Sequence, residues 1–175
     1  MRLDLRDMIH RPGAVKDFAY ELDLSKVRHF GERPFSRLVK VSGVVRNAAG
    51  ALELVGAAET VLDVVCDRCL KPITVELHVS VETLLAEELE GEENDEIVLL
   101  DKGTVELDEI FSTACILDLD SKHLCREDCK GLCPTCGKDL NEGPCGCGKE
   151  LDPRLAVLAK LLDKKEGSQD KDEEA

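Results

Sequence analysis

The chain has 175 residues, is 43% hydrophobic but only 3% aromatic, and carries a formal net charge of −14. That length suits one domain, or one domain with a small appended module, and its core must be built mostly from Val, Leu, Ile and Ala. No apolar run approaches the about 18 residues of a membrane-spanning helix, and Met1 to Asp7 lack the apolar stretch of an export signal, so a cytoplasmic protein without membrane contact is expected.

The charge is unevenly distributed. Residues 1–47 hold 10 Lys and Arg against 6 Asp and Glu, residues 48–120 hold 3 against 19, and residues 121–175 hold 10 against 12. The acid lies in the middle and the first quarter is mildly basic. A solvated acidic face explains most of such a pattern, and it also leaves room for a polyanion or a basic partner.

Asp17 to Leu24 alternates apolar and polar residues and reads as a strand. Leu38 to Val45 is rich in Val and reads as another, Asn47 to Gly50 as a turn, and Leu52 to Val65 as a longer β-branched strand. A tight Cys66-Asp67-Arg68-Cys69 loop follows. Ile73, Val75, Leu77, Val79 and Val81 then alternate with polar residues, the period of two that a half-buried strand requires. Residues 38–84 are therefore an antiparallel meander with the C-x2-C loop at a hairpin tip. Residues 87–96 (EELEGEENDE) form an acidic, solvated break. Leu107, Ile110, Phe111, Ala114 and Leu117 have helical spacing, which predicts an amphipathic helix over 106–117 with Cys115 as a buried small hydrophobe. Asp152 as N-cap, Pro153 behind it and the stripe Leu155, Leu158 and Leu162 predict a C-terminal helix.

The expected fold class is α+β: an antiparallel sheet meander packed with one or two helices, plus a Cys-rich zinc-knuckle module. The expected organisation is a sheet and helix domain at 1–120 that includes the acidic loop, a metal-binding module at 121–150, a helix at 151–165 and a disordered tail at 166–175.

Nine cysteines in a reducing compartment argue for metal or redox chemistry and against a disulfide framework. A tetrahedral zinc needs about four thiolate or imidazole ligands, and a C-x2-C turn supplies two from one tight loop. The candidates are Cys66, Cys69, Cys125, Cys129, Cys133, Cys136, Cys145 and Cys147. One partition puts Cys133, Cys136, Cys145 and Cys147 in a local site and leaves Cys125 and Cys129 to meet Cys66 and Cys69, giving two structural ions. A rival partition joins Cys66 and Cys69 to Cys133 and Cys136, giving one. Gly137 suits the positive-φ backbone of such a knuckle. An iron–sulfur cluster fits four cysteines as well, and a thiol redox motif would want its C-x2-C at a helix N-terminus. His123 lies two residues from Cys125 and is read as a surface histidine.

No P-loop, dinucleotide fingerprint or zinc-protease motif is present, and the abundant carboxylates sit in charge runs, so no enzyme and no small-molecule substrate are expected. A basic set, Arg28, Arg33, Arg37, Lys40, Arg46, Arg126 and Lys130, with His29 and Lys122 near it, is the candidate contact for RNA or a partner. Aromatic stacking platforms for single-stranded RNA are nearly lacking.

Three blocks of this sequence resemble the YceD family, the large ribosomal RNA subunit accumulation proteins. They are Cys66-Asp67-Arg68-Cys69-Leu70-Lys71-Pro72 with its alternating strand, the stretch from Leu124 to Cys147 (LCREDCKGLCPTCGKDLNEGPCGC), and that from Asp152 to Lys160 (DPRLAVLAK). The order matches too, and the likeness is strongest from residue 60 to 162. It implies ribosome biogenesis in a bacterium or plastid: support of the synthesis, processing or stability of large-subunit ribosomal RNA, without enzymatic activity. The implied partner is the large-subunit RNA precursor or a ribosomal protein. Some relatives lack most of the later thiols, which fits a structural metal better than a catalytic one. The alternatives are a zinc-dependent protein-interaction module without RNA contact, and a thiol redox protein.

Overall fold

The computed structural model describes residues 1–88 and 97–147. The chain divides into two compact units, Met1–Cys129 and Lys130–Ala175. The expected helix at 151–165 and the tail at 166–175 lie outside the described residues, as does nearly all of the acidic loop.

The first unit holds β1 (Arg2–Asp4), α1 (Arg6–Ile9), β2 (Val15–Leu22), β3 (Val39–Ala48), β4 (Ala51–Val65), β5 (Pro72–Ala86), β6 (Ile97–Leu99), β7 (Thr104–Glu106) and α2 (Leu107–Leu117). Strands β2 to β6 form one sheet in chain order, and β1 pairs with β7 in a two-stranded ribbon. All neighbours in the large sheet are antiparallel except β5 and β6, which run parallel from Leu84 opposite Ile97 to Ala86 opposite Leu99. The predicted α+β class and its meander are present. The sheet starts earlier than the Val-rich strands suggest, because β2 pairs with β3 along its whole length, from Val15 opposite Arg46 to Leu22 opposite Val39.

Alternation decides which face is core. Val39, Val41 and Val45 of β3, and Leu52, Leu54, Ala58 and Leu62 of β4, point inward and are almost wholly buried, while the residues between them point out. Helix α2 closes the inner face with Leu107, Phe111 and Cys115, which are four residues apart and share one side of the helix. The Phe111 and Phe18 rings meet at 5.9 Å. They rest on Gly43 and Gly56, which are register partners on β3 and β4. A Cβ on Gly56 would lie 2.8 Å from Phe111 Cζ, and one on Gly43 would lie 2.5 Å from the Val55 carbonyl and 2.6 Å from Phe18 Cζ. The two glycines are the recess that lets an aromatic pair approach the sheet.

The β3–β4 hairpin turns on Ala49 and Gly50, both at positive φ, 55° and 106°, as a two-residue turn with the right twist requires. Asn47 is buried beside it with its amide satisfied: Nδ2 donates to the carbonyls of Met8 (2.7 Å) and Ile9 (3.1 Å), and Oδ1 accepts from Gly50 N–H (2.8 Å). That side chain fixes α1 against the hairpin.

Strands β4 and β5 run 15 residues each, about 50 Å. The β3 pairing stops at Lys40 opposite Glu59, so the far third of the β4–β5 hairpin continues beyond it. The 23–38 loop takes over the vacant edge there. Asp63 N–H donates to Pro34 O (3.2 Å), Thr60 Oγ1 donates to Leu38 O (3.2 Å), and Ser36 hydrogen-bonds the Asp63 carboxylate. Phe35 and Leu24 bury themselves under it. The hairpin end is thus held stiff, and it carries the first cysteine pair.

Candidate metal centres

The β4–β5 ladder closes with Val65 opposite Pro72, which leaves the loop Cys66–Lys71 at the tip. Cys66 N–H donates to Lys71 O, and Leu70 N–H donates to Cys66 O, both at 2.8 Å. Closing so small a loop forces Leu70 to positive φ, 58°. The second C-x2-C repeats the pattern within the other unit. Cys133 N–H donates to Lys138 O and Gly137 N–H to Cys133 O, again at 2.8 Å, and Gly137 has φ 72°. Two loops of different sequence share one backbone form, and in it the amides at the tip point back at the first sulfur.

Each pair meets a second pair. Cys66, Cys69, Cys125 and Cys129 form one group, and Cys133, Cys136, Cys145 and Cys147 another; within each group all four sulfurs lie within 4.8 Å of one another. Cys66 Sγ is 3.9 Å from Cys129 Sγ, and Cys69 Sγ is 3.6 Å from Cys125 Sγ. A disulfide needs about 2.05 Å. The edge of a thiolate tetrahedron around one ion is about 3.8 Å when the metal–sulfur distance is about 2.3 Å. Both groups could therefore hold a metal ion. Of the two partitions weighed from spacing, the structure assembles the one in which each group of four lies within a single unit.

In the first group the two residues between the cysteines tie down the segment that brings Cys125 and Cys129. Asp67 Oδ2 accepts from His123 N–H (2.6 Å), and Asp67 N–H donates to His123 O (2.9 Å). Arg68 Nη1 donates to the carbonyls of Cys129 (2.7 Å) and Glu127 (3.3 Å). These four bonds set the 123–129 segment in register with the hairpin tip. Sequence reading singled out Cys66 and Cys69 but not the pair between them, whose partners lie over fifty residues away. In the second group the fixing bonds are local: Lys130 N–H to Asn141 Oδ1 (2.8 Å), Leu140 N–H to Gly131 O (2.9 Å) and Lys138 Nζ to Pro144 O (3.0 Å).

The sulfurs do not titrate alike. Burial alone would raise Cys66, but N–H groups of Cys125, Cys69 and Arg68 hydrogen-bond its sulfur and bring it down to about 6. Cys133 is brought to about 6 by the N–H groups of Cys136 and Thr135, with Cys145 adding to them. The later thiols pay for this charge. Cys125 is pushed up to about 12 by burial and by Cys129, Cys69 and Cys66 beside it, and Cys147 to about 12 by Cys136 and burial. Each quartet thus sets one thiol brought low beside one pushed high by its neighbours, an arrangement that a cation relieves. Cys115 stands apart from both, buried in α2, and burial with the nearby Asp118 pushes it up to about 11.

The basic candidates are spread among acids. Arg37 Nη2 lies 3.8 Å from Asp63, Arg46 Nε 3.2 Å from Glu53, and Arg126 Nε 3.2 Å from Asp128. Lys40 sits between Glu21 and Glu59 in register. Arg28 and Arg33 are exposed in the 23–38 loop, and Lys130 is exposed at the start of the second unit. Among the described residues, no helix is long and apolar enough to cross a membrane.

The family model of the large ribosomal RNA subunit accumulation protein YceD matches residues 54–162. That span takes in all eight grouped cysteines. An uncharacterised protein of Mycobacterium bovis and one of Mycobacterium tuberculosis are each 30% identical over 165 residues, 91% of this chain and 73% of the relative. One from Mycobacterium leprae is 30% identical over 101 residues, 55% of this chain and 46% of its own. No solved structure matches the chain.

Proposed function

The chain belongs to the YceD family of large ribosomal RNA subunit accumulation proteins, and from that membership we propose that it is a non-enzymatic factor in assembly of the large ribosomal subunit. It supports the synthesis, processing or stability of the subunit's RNA in the cytoplasm. Its partner is the precursor particle, through the RNA or a ribosomal protein. The observation that carries the reading is the family match across the whole cysteine framework.

Both quartets are zinc sites in this reading, with Cys66, Cys69, Cys125 and Cys129 as one ligand set and Cys133, Cys136, Cys145 and Cys147 as the other. Four thiols with sulfur separations of 3.6 and 3.9 Å suit one tetrahedral ion. The four thiolates of a multi-iron cluster are divided among two or more irons, so as a set they spread wider than the 4.8 Å that contains each group here. A site closed by four thiolates has no position for water or substrate, so bound zinc supplies folding energy here. The protein's part is to present the sulfurs: the hairpin holds Cys66 and Cys69, and Asp67 and Arg68 bring the 123–129 segment to them. A thiol oxidoreductase is disfavoured because Cys66 sits at a β-hairpin tip and has no helix N-terminus behind it.

Sedimentation of cell extract tests the reading. The protein is expected to travel with precursor large subunits and to dissociate as salt rises. Its presence in the free-protein fraction alone at low salt would contradict the assignment.

A further inference from the structure

The inner face of the large sheet is covered by α2, but the outer face of β2 to β5 is lined by exposed or half-exposed side chains. Its centre is a row of small residues. Ala19, Ser42, Ala57 and Ser80 stand side by side on four successive strands, a trough about 14 Å long at the usual strand spacing. The rows on either side bear acid. Asp17 and Glu82 end one flanking row, and Glu21 and Glu59 lie in the other, with Glu76 and Asp63 beyond.

The cations on this face offset only part of that charge: Arg37 lies 3.8 Å from Asp63, and His78 lies 3.7 Å from Glu59 and 3.6 Å from Glu76. Arg46 is paired with Glu53 at 3.2 Å, and Lys40 is enclosed by the two glutamates of its own row. At one end lies a groove of about 460 Å³, with Leu38 and Val61 in its wall, where Glu21, Glu59 and Glu76 stand among Arg37, Lys40 and His78. An apolar wall beneath carboxylates fits a long cationic side chain, whose methylenes lie on the former and whose head meets the latter. A phosphate backbone meets a net excess of negative charge here.

We infer that this outer sheet face docks an extended lysine- and arginine-rich polypeptide segment, laid across the strands along the small-residue trough. The inference rests on the proposed role in subunit assembly for its biological context, in which the occupant is a basic protein of the maturing particle. Contacts are electrostatic at the flanks and steric in the trough, so binding is salt-sensitive and reads charge density more than sequence.

The test uses the full-length, zinc-loaded chain and a short labelled peptide of alternating lysine and alanine. Saturable binding is expected, weakening as salt rises. The triple variant Glu21→Lys/Glu59→Lys/Glu76→Lys should lose about tenfold or more in affinity. Glu109→Lys/Asp118→Lys/Asp128→Lys, with the same change in net charge elsewhere, should stay within about twofold. In the unaltered protein, amide shifts on peptide addition should centre on Ala19, Ser42, Ala57 and Ser80, a readout that needs no variant to fold. Equal losses in the two triples, shifts scattered over the surface, or a short oligoribonucleotide occupying the trough more tightly than the peptide would each overturn the inference. Sedimentation separates it from the assembly role. If the wild-type protein never travels with precursor particles, that role fails while the peptide result stands. If the first triple binds the peptide as the wild type does while the wild type travels with precursor particles, the docking inference fails and the role stands.

Discussion

Asp67 and His123 are joined by two hydrogen bonds in opposite directions, 2.6 Å from the His123 N–H to the Asp67 carboxylate and 2.9 Å from the Asp67 N–H to the His123 carbonyl. The histidine contributes its backbone here, and neither group of converging ligand atoms includes its ring. Asp67→Ala removes the charged acceptor and leaves the segment carrying Cys125 held mainly by Arg68. A loss of about 1–3 kcal/mol in stability is expected, with faster zinc release to a chelator from one site only. Asp67→Asn, which keeps an oxygen at the same place, should recover part of it. Release rates unchanged in both variants would show that the bond pair does not position the ligands.

The Gly43–Gly56 pair sets how closely Phe18 and Phe111 approach the sheet. Gly43→Ala places a methyl 2.5 Å from a backbone carbonyl, which cannot swing aside, and about 3 kcal/mol or more of destabilisation is expected. Gly56→Ala meets the tip of the Phe111 ring first, so a smaller cost is expected, because α2 can shift. Chemical denaturation of the two variants measures both, and an equal or reversed order would contradict this packing.

Leu70 is an exposed leucine at φ 58°, in the position Gly137 fills in the other knuckle. The left-handed conformation costs a non-glycine residue about 1–2 kcal/mol, while a glycine there loses about 0.4–1 kcal/mol through the unfolded chain. Leu70→Gly should therefore raise stability, by up to about 1 kcal/mol, and Leu70→Val should lower it. A fall in melting temperature for Leu70→Gly would mean that the leucine side chain makes a contribution its exposure does not reveal.

Cys115 gives the fold an alkaline limit. Its thiol is raised to about 11 by burial, with Asp118 adding to it. A raised value means the native state holds its proton longer than the unfolded chain does. That stability is fully present below about pH 8.5 and is lost as pH climbs toward 11. Between pH 8.5 and 10 the wild type should lose about 1–1.5 kcal/mol by this route, and Cys115→Ala should be flatter over the same range. Tyr20, raised by burial as well, adds its own loss above about pH 10 in both proteins. Parallel curves for wild type and variant between pH 8.5 and 10 would rule out the thiol as the cause.

Period-two alternation made β3, β4 and β5 legible in the sequence, and the Leu107, Phe111 spacing made α2 so. The pattern is strong there because one face of each element is buried. β1, β6 and β7 have three residues each, too few to show a period, and are defined by their partners. The cysteine quartets were legible as residues, since thiols at short spacing are rare as core filler. Their partition was not, because which pairs meet depends on the hairpin tip reaching residues 123–129. Asp67 and Arg68 were invisible for the same reason: a charged residue inside a loop looks solvated until its distant carbonyl or amide partner is placed. The basic set was legible by composition, but sequence could not show that Arg37 and Arg46 lie beside Asp63 and Glu53 across the strands.

The central claim is that two four-thiolate zinc sites hold this framework together, and elemental analysis of the purified chain with ligand variants tests it most directly. Two zinc ions per chain are expected, falling to one in Cys129→Ala and to one in Cys147→Ala, with all thiols except Cys115 protected from alkylation only while metal is bound. Protein that carries no zinc, keeps its fold and alkylates at all eight grouped cysteines in native buffer would contradict it.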